Sequence, residues 1–254
     1  MKRLEAALKK MGVNYGSAQI DMLEDYMKYL LIKNRNINLT GIKEREEFIS
    51  KHYIDSLLVS TVDEFKEAKT VIDVGTGGGF PGIPLAIFFP EKEFLLIDSL
   101  AKRLNAVLEI AKKVGINNVS VAHGRAEDLG KKEEYREKFD ICVSRAVAPL
   151  ATLSEYCIPF IKVGGSFIAY KTAKASEEIE DAKKAILLLG GNLQNEITEF
   201  GITTKLHHSL VVIKKSRMTP LKYPRKAGTP SRNPISQKDV SRETLRKKAL
   251  KIKR

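Results

Sequence analysis

The sequence predicts an α/β fold, a mostly parallel sheet covered by helices on both faces. Short apolar runs alternate along the chain with segments that suit helices, the pattern that produces such sheets. One run, Val71-Ile72-Asp73-Val74, is rich in β-branched residues and leads directly into a glycine turn, Gly75 to Gly82. A second run ends in a carboxylate, Asp98, 19 residues beyond Gly79. A strand, a glycine turn and an acid at that offset predict a nucleotide-like ligand at the carboxyl end of the first strand.

Residues 1–60 read as a helical extension on this domain. Ser17 is a suitable N-cap for a helix whose apolar stripe runs Ile20, Leu23, Met27, Leu30 and Leu31. A second helix is expected over 43–59, burying Phe48, Ile49, Ile54, Leu57 and Leu58. Between them Asn36-Ile37-Asn38-Leu39-Thr40-Gly41 is a turn-rich link. Asn38 and Thr40 have two readings. Such side chains bond local backbone, or the link lies over the ligand cleft and shapes a substrate pocket. His52 is expected to orient the helix pair rather than to exchange protons.

The sheet is expected to continue in order. After the turn, Pro81 stands where a first helical turn accepts proline, opening a helix over 82–89. Glu93 to Asp98 is the second strand and Val119 to His123 the third. A polar loop with Ala126 and Glu127 follows, either a ligand contact or a helix start whose acids complement the dipole. Phe139 to Val147 is the fourth strand. Arg145 interrupts it where the strand runs out into a cleft, and an arginine there needs an anionic or hydrogen-bonding partner. A helix over 149–160, a fifth strand over 164–171 and a helix over 173–189 come next. Two final strand-like runs, 191–200 and 207–215, close the sheet as a hairpin, making seven strands.

The glycine turn does not by itself name the ligand. A dinucleotide fingerprint from Gly75 needs Gly or Ala at position 80, where Phe80 stands. The frame Gly77-Gly78-Gly79-Phe80-Pro81-Gly82 matches formally, but it starts two residues past the strand and places proline inside the turn. The spacing Gly75-x-Gly77-x-Gly79 resembles instead the first motif of S-adenosylmethionine methyltransferases. Asp98 suits a ribose diol, because a carboxylate accepts two hydrogen bonds at once.

Charge is unevenly distributed. The chain of 254 residues carries 44 Lys/Arg against 31 Asp/Glu, a net +13. Residues 214–254 hold 15 of the bases and two of the acids, so the preceding 213 are balanced at 29 of each. Basic charge concentrated at one end suits attachment to phosphates. Four prolines in 214–234 predict an extended course over a surface, and 239–252 suits a short basic helix. No apolar run approaches membrane-spanning length. Met1-Lys2-Arg3 precedes an amphipathic stretch, so no signal peptide is expected. Two cysteines, Cys142 and Cys157, form no framework and no metal cluster, which points to a reducing cytoplasm and a metal-free protein.

Several segments together resemble one family. They are Asn38-Leu39-Thr40-Gly41, His52-Tyr53-Ile54-Asp55-Ser56-Leu57, Asp73 through Pro84, Asp98-Ser99-Leu100-Ala101-Lys102-Arg103, Ala126-Glu127, Ser144-Arg145-Ala146 and Tyr223-Pro224-Arg225-Lys226-Ala227-Gly228-Thr229-Pro230. Their order and spacing are similar to those of the bacterial small-subunit ribosomal RNA guanine-N7 methyltransferases, the glucose-inhibited division protein B family. The resemblance implies a Rossmann-like, seven-stranded methyltransferase sheet, S-adenosylmethionine as cofactor, and 16S rRNA of the small ribosomal subunit as partner. It implies cofactor contacts at Gly75, Phe80, Asp98, Ser99, Leu100, Ala126, Glu127 and Arg145, to which the glycine spacing adds Gly77 and Gly79. Lys102, Arg103, Arg225, Lys226 and Arg232 are the candidate RNA contacts, and Asn38 and Arg145 the candidates beside the reacting base. A monomer is expected. The chain divides into a helical extension (1–60), the methyltransferase domain (61–215) and a basic, proline-containing tail (216–254).

The chemistry implied needs little from the protein. Guanine N7 has a lone pair and no proton at neutral pH, so no strong general base is required. The sequence has no Asn-Pro-Pro-Tyr motif after the fourth strand and no Pro-Cys nucleophile. Arginine ordinarily reads guanine through O6 and N7 together, which blocks N7. Arg145 is therefore expected on the cofactor side or on O6 alone. Two other classes fit the same turn: a nicotinamide-dependent oxidoreductase using Asp98, and a non-catalytic rRNA-binding or assembly factor.

Overall fold

The structure, a computed structural model, describes residues 1–172, 175–197 and 208–236. Helices α1 (Lys2–Met11), α2 (Ser17–Lys33), α3 (Arg45–Phe48), α4 (Asp55–Leu57) and α5 (Asp63–Glu67) precede the sheet. A π segment, Ile49–Ile54, joins α3 to α4, so the helix expected over 43–59 is one composite rod. Gly16 caps α2 in place of Ser17: its amide donates to Gln19 Oε1 at 2.8 Å, and Ser17 is the first helical residue.

Strands β1 (Thr70–Val74), β2 (Glu93–Asp98) and β3 (Val119–His123) alternate with α6 (Gly82–Phe88), α7 (Ala101–Lys113) and the short α8 (Ala126–Leu129). Then come β4 (Phe139–Arg145), α9 (Leu150–Cys157), β5 (Ile161–Thr172), α10 (Ala175–Leu188), β6 (Gly191–Ile197) and β7 (His208–Lys215), with α11 (Thr229–Arg232) last. The sheet order is β3-β2-β1-β4-β5-β7-β6. β1 to β5 are parallel, and β7 runs antiparallel between β5 and β6. The final pair is therefore a hairpin whose second strand lies inside and whose first forms the edge. Phe200 and His207, expected in that hairpin, and the helix expected over 239–252 lie outside the described residues.

Side chains alternate across a strand, and that period divides the core. Val71, Phe94, Leu96, Ile141 and Val143 face α1, α2, the composite rod, α6 and α7. Ile72, Val74, Leu95, Ile97 and Cys142 face α9 and α10 together with Tyr223 and Ile235. Each such side chain, fully buried, contributes about 1.5–3 kcal/mol. The N-terminal extension thus covers one face, and the segment after β7 helps cover the other.

Residues 216–236 do cross a surface, held by many specific bonds. The Arg136 guanidinium donates to the carbonyls of Thr219 (2.6 Å) and Tyr223 (2.8 Å). Lys215, buried, donates to Glu137 (2.7 Å) and to Thr219 Oγ1 (2.8 Å). Burial lowers its pKa to about 8 against the raising effect of Glu137. Thr152 Oγ1 donates to the Pro230 carbonyl, and the Gly228 amide donates to Glu127 Oε1 at 2.7 Å. We call this segment the strap.

Candidate functional site

Chain direction across the sheet reverses between β1 and β4, the switch point where ligands bind in open α/β sheets. At that edge a cavity of about 270 Å³ opens over the carboxyl ends of β1 and β2. Gly75, Asp98, Ser99, Leu100, Ala126 and Glu127, six of the sequence-predicted contacts, line it together.

Asp98 is pinned by backbone. Its Oδ2 accepts from Gly77 N (3.0 Å) and its Oδ1 from Leu100 N (2.9 Å). Each oxygen keeps a lone pair for a further donor. Gly75 has φ +77, and a side chain there would collide with Val147. Only glycine lets the backbone lie so close to its neighbours.

The opposite side of the turn is apolar and closed. Asp73 Oδ2 accepts from Thr76 Oγ1 (2.7 Å) and Gly82 N (2.9 Å), stapling the turn to the start of α6. Burial raises the Asp73 pKa to about 6, and those two hydrogen bonds oppose the rise. Gly79 has φ +89, and a Cβ there would lie 2.5 Å from the Tyr26 hydroxyl, which itself donates to Gly78 O at 2.8 Å. Phe80 is buried among Tyr26, Phe48, His52 and Tyr53, its ring stacked on His52 at 4.2 Å. Gly79 and Phe80 therefore shape the turn from beneath and do not line the cavity; Gly77, half-buried with open space beside it, is outside the lining too but holds Asp98 through its amide.

Arg145 is also differently placed from the expectation. It pairs with Asp55, donates to the Lys51 carbonyl at 2.9 Å, and lies 5.8 Å over the Phe80 ring. Its charge is spent on the composite rod, and only its neighbours Ala146 and Val147 reach this cavity. The β4 strand ends at Arg145, and Ala146, at φ 57, turns the chain outward. His52 Nδ1 faces Arg145 Nη2 at 3.4 Å, and Nε2 lies 2.7 Å from Thr40 Oγ1. A guanidinium only donates, so Nδ1 is the acceptor and Nε2 carries the proton. Burial, with the Arg145 charge second, lowers the His52 pKa to about 3. This is an orienting histidine.

Asn38 is exposed on the link, beside Leu39, whose carbonyl would lie 2.8 Å from a Cβ at Gly78. The link is folded by Asn34, which bonds Leu39 N, Thr40 N and Thr40 O. Thr40 Oγ1 bonds locally as well, accepting from Ile42 N at 3.0 Å. Of the predicted RNA contacts, Lys102 and Lys226 are exposed, Arg103 lines the cavity, and Arg232 is exposed with Nε 3.2 Å from Gly228 O. Arg225 needs correction. Its guanidinium grips buried Glu155 through Nε (2.9 Å) and Nη2 (2.7 Å), so its charge is neutralised within the fold. Sequence reading missed Arg125 and Tyr156, which also line the cavity. Arg125 sits in the loop already singled out after β3, whereas Tyr156 carries no local signal.

The sequence profile of rRNA small subunit methyltransferase G (GidB) matches residues 19–205. The chain belongs to this family. Ribosomal RNA small subunit methyltransferase G of Clostridium novyi is 47% identical over 233 residues, covering 91% of this chain and 96% of its own. The protein of the same name from Clostridium perfringens strain 13 is 49% identical, covering 86% and 95%. Among solved structures, a MtNAS variant overlays with a TM-score of 0.54 at 14% identity, covering 85% of this chain and 86% of that chain. A Klebsiella pneumoniae protein provisionally named an O-methyltransferase gives 0.50 at 13%, covering 76% and 90%. At those identities the overlays establish the fold alone. Nothing in these similarities supports a nicotinamide-dependent oxidoreductase or a non-catalytic binding factor. Among the described residues no helix is long and apolar enough to cross a membrane, and no His/Cys/Asp/Glu group could hold a metal ion.

Proposed function

We propose that this protein transfers a methyl group from S-adenosylmethionine to N7 of one guanine in the 16S rRNA of the small ribosomal subunit. The observation that carries the reading is the polar cavity at the switch point, with Asp98 at the end of β2 and the bent Gly75 beneath Val147. The residues present fit the cofactor. Asp98 offers lone pairs to a ribose diol, the Ala126–Glu127 turn offers polar groups to an adenine, and two carboxylates suit a cationic sulfonium. When bound, the cofactor supplies an electrophilic methyl carbon whose bond to sulfur breaks as the bond to N7 forms.

The protein's own part is placement. No residue needs to remove a proton, because N7 carries none, and His52, a buried neutral imidazole whose ring nitrogens are engaged by Arg145 and Thr40, agrees with that. Alignment of acceptor and donor is worth up to about 7–11 kcal/mol in well-oriented systems. In this reading residues 1–60 brace the turn from below, 61–215 form the catalytic domain, and 216–254 bring basic charge to the RNA. Lys102, Arg103, Lys226 and Arg232 are the proposed phosphate contacts. A cytoplasmic monomer acting on the small subunit completes the proposal.

The test is a thermal titration with S-adenosylhomocysteine and, separately, NAD. A ligand that binds only the folded state raises its stability by RT ln(1 + [L]/Kd). S-adenosylhomocysteine is expected to raise the melting temperature and NAD to leave it unchanged; the reverse result refutes the reading. Asp98→Asn should weaken S-adenosylhomocysteine roughly 10-fold or more, the size of a lost hydrogen bond to a charged group.

A further inference from the structure

A second cavity, of about 340 Å³, opens at the same sheet edge between the ends of β4 and β5 and the first turn of α10. Arg145, Ala146, Val147, Tyr170, Lys171 and Glu178 are among its lining. Ala146 and Val147 line both cavities, so the outward turn after β4 is the wall they share. Among the described residues Glu178 is the only acid in the second lining. Its Oε2 is fixed by Lys171 Nζ (2.7 Å) and Leu150 N (2.8 Å), and Lys171 is fixed in turn by Ala148 O (2.9 Å). Among the described residues Oε1 accepts no hydrogen bond. A carboxylate held by one oxygen, with the other available, is a ready acceptor for a ligand's paired N–H groups.

We propose that this second cavity receives the target guanine, with Glu178 as the residue that selects it. The assignment rests on the methyl-transfer reading above. A base to be methylated at N7 leaves only O6 to be read on the edge that carries N7. Its opposite edge presents two donors, N1–H and the exocyclic 2-amino group, and only an acceptor can read them. Glu178 supplies that acceptor and leaves N7 directed away from it. Adenine presents an acceptor at N1 and no 2-amino group, so the same carboxylate repels it. Arg145, occupied by Asp55 and the Lys51 carbonyl, is excluded as the base reader.

Inosine tests this directly, because it lacks the 2-amino group and keeps both N1–H and N7. Small-subunit RNA is prepared with guanosine or inosine at the position the enzyme methylates, and kcat/KM is measured for each with the full chain. The wild-type protein is expected to prefer guanosine by about 10-fold or more, as for a hydrogen bond to a charged group. Glu178→Gln is expected to lose activity on guanosine and to shrink that preference to within about 3-fold. Its S-adenosylhomocysteine affinity is expected to stay near the wild-type value, and its melting temperature to fall, because buried Lys171 loses its anionic partner. A carboxylate that only supports Lys171 and α9 would lower both substrates equally. Wild-type activity without discrimination, or a variant that keeps the wild-type ratio, overturns the assignment alone. A wild-type protein inactive on the guanosine substrate overturns the methyl-transfer reading and the assignment with it.

Discussion

Both faces of the sheet are covered by an apolar core, and the two coverings differ in the polar bonds added to it. The N-terminal extension holds its face by apolar area, packing Tyr26, Phe48 and Tyr53 around Phe80 beneath the glycine turn. The strap holds its face through a few buried charges: Arg225 on Glu155, Lys215 on Glu137, and Arg136 on strap carbonyls. Area is non-directional and tolerates exchange. A buried ion pair tolerates little, because removing one partner leaves the other charge uncompensated. Both faces meet the first cavity, one through the turn and the other through the Gly228–Glu127 bond. Each covering also adds a buried ion pair near the site, Asp55 of the rod on Arg145 and Arg225 of the strap on Glu155.

The strap's side of the comparison is most exposed at Arg225. Arg225→Ala strands Glu155, which is 1% exposed, and should cost about 3–5 kcal/mol in urea unfolding. Replacing both partners by apolar residues of similar volume should recover most of it. A cost below 1 kcal/mol would mean the strap is not held by charge. On the other face, Gly79→Ala should cost about 1–3 kcal/mol through its left-handed backbone and the Tyr26 hydroxyl. The same variant should weaken S-adenosylhomocysteine, since the turn must shift.

Acid separates the turn's two titrating groups. His52, lowered to about 3, contributes stability that is full above its unfolded value of 6.5 and is lost as pH falls toward 3. Asp73, raised to about 6, acts oppositely: its contribution is full below 3.8 and is lost as pH rises through 6. Between pH 6.5 and 4 the two slopes oppose each other. Melting temperature should fall more steeply with acid in Asp73→Asn than in the wild type, and less steeply in His52→Asn. Parallel curves for all three would remove both assignments. The smallest stability effect is expected at exposed Asn38, where alanine should change unfolding by less than about 0.5 kcal/mol. If the link shapes the target pocket, methylation of rRNA falls in that variant; unchanged methylation removes Asn38 from the site.

Much of the fold was legible because a parallel sheet covered on both faces writes its strands as short continuous apolar runs. Val71 to Val74, Glu93 to Asp98 and Val119 to His123 appear as strands where expected. The placement of Asp98 at the end of β2, in the lining of the cavity, was legible as well, because an acid ending an apolar run after a glycine turn follows from chain geometry. Polar pairs distant in sequence were not. Arg145 finds Asp55 90 residues away, Arg225 finds Glu155 at 70, and Gly228 finds Glu127 at 101. Such pairs leave no local pattern, so an arginine at a strand end read as a ligand contact and one in the strap as an RNA contact. The second cavity escaped for the same reason, since Glu178 sits on a helix whose acids look like a solvated first turn.

The most direct test of the whole account is to incubate the purified chain with small subunits lacking the modification and labelled S-adenosylmethionine, and then to map the label in the rRNA. One N7-methylguanosine per subunit, formed at a single position, is the predicted result. Label on another atom or base, or none at all with an intact, folded protein, would contradict it.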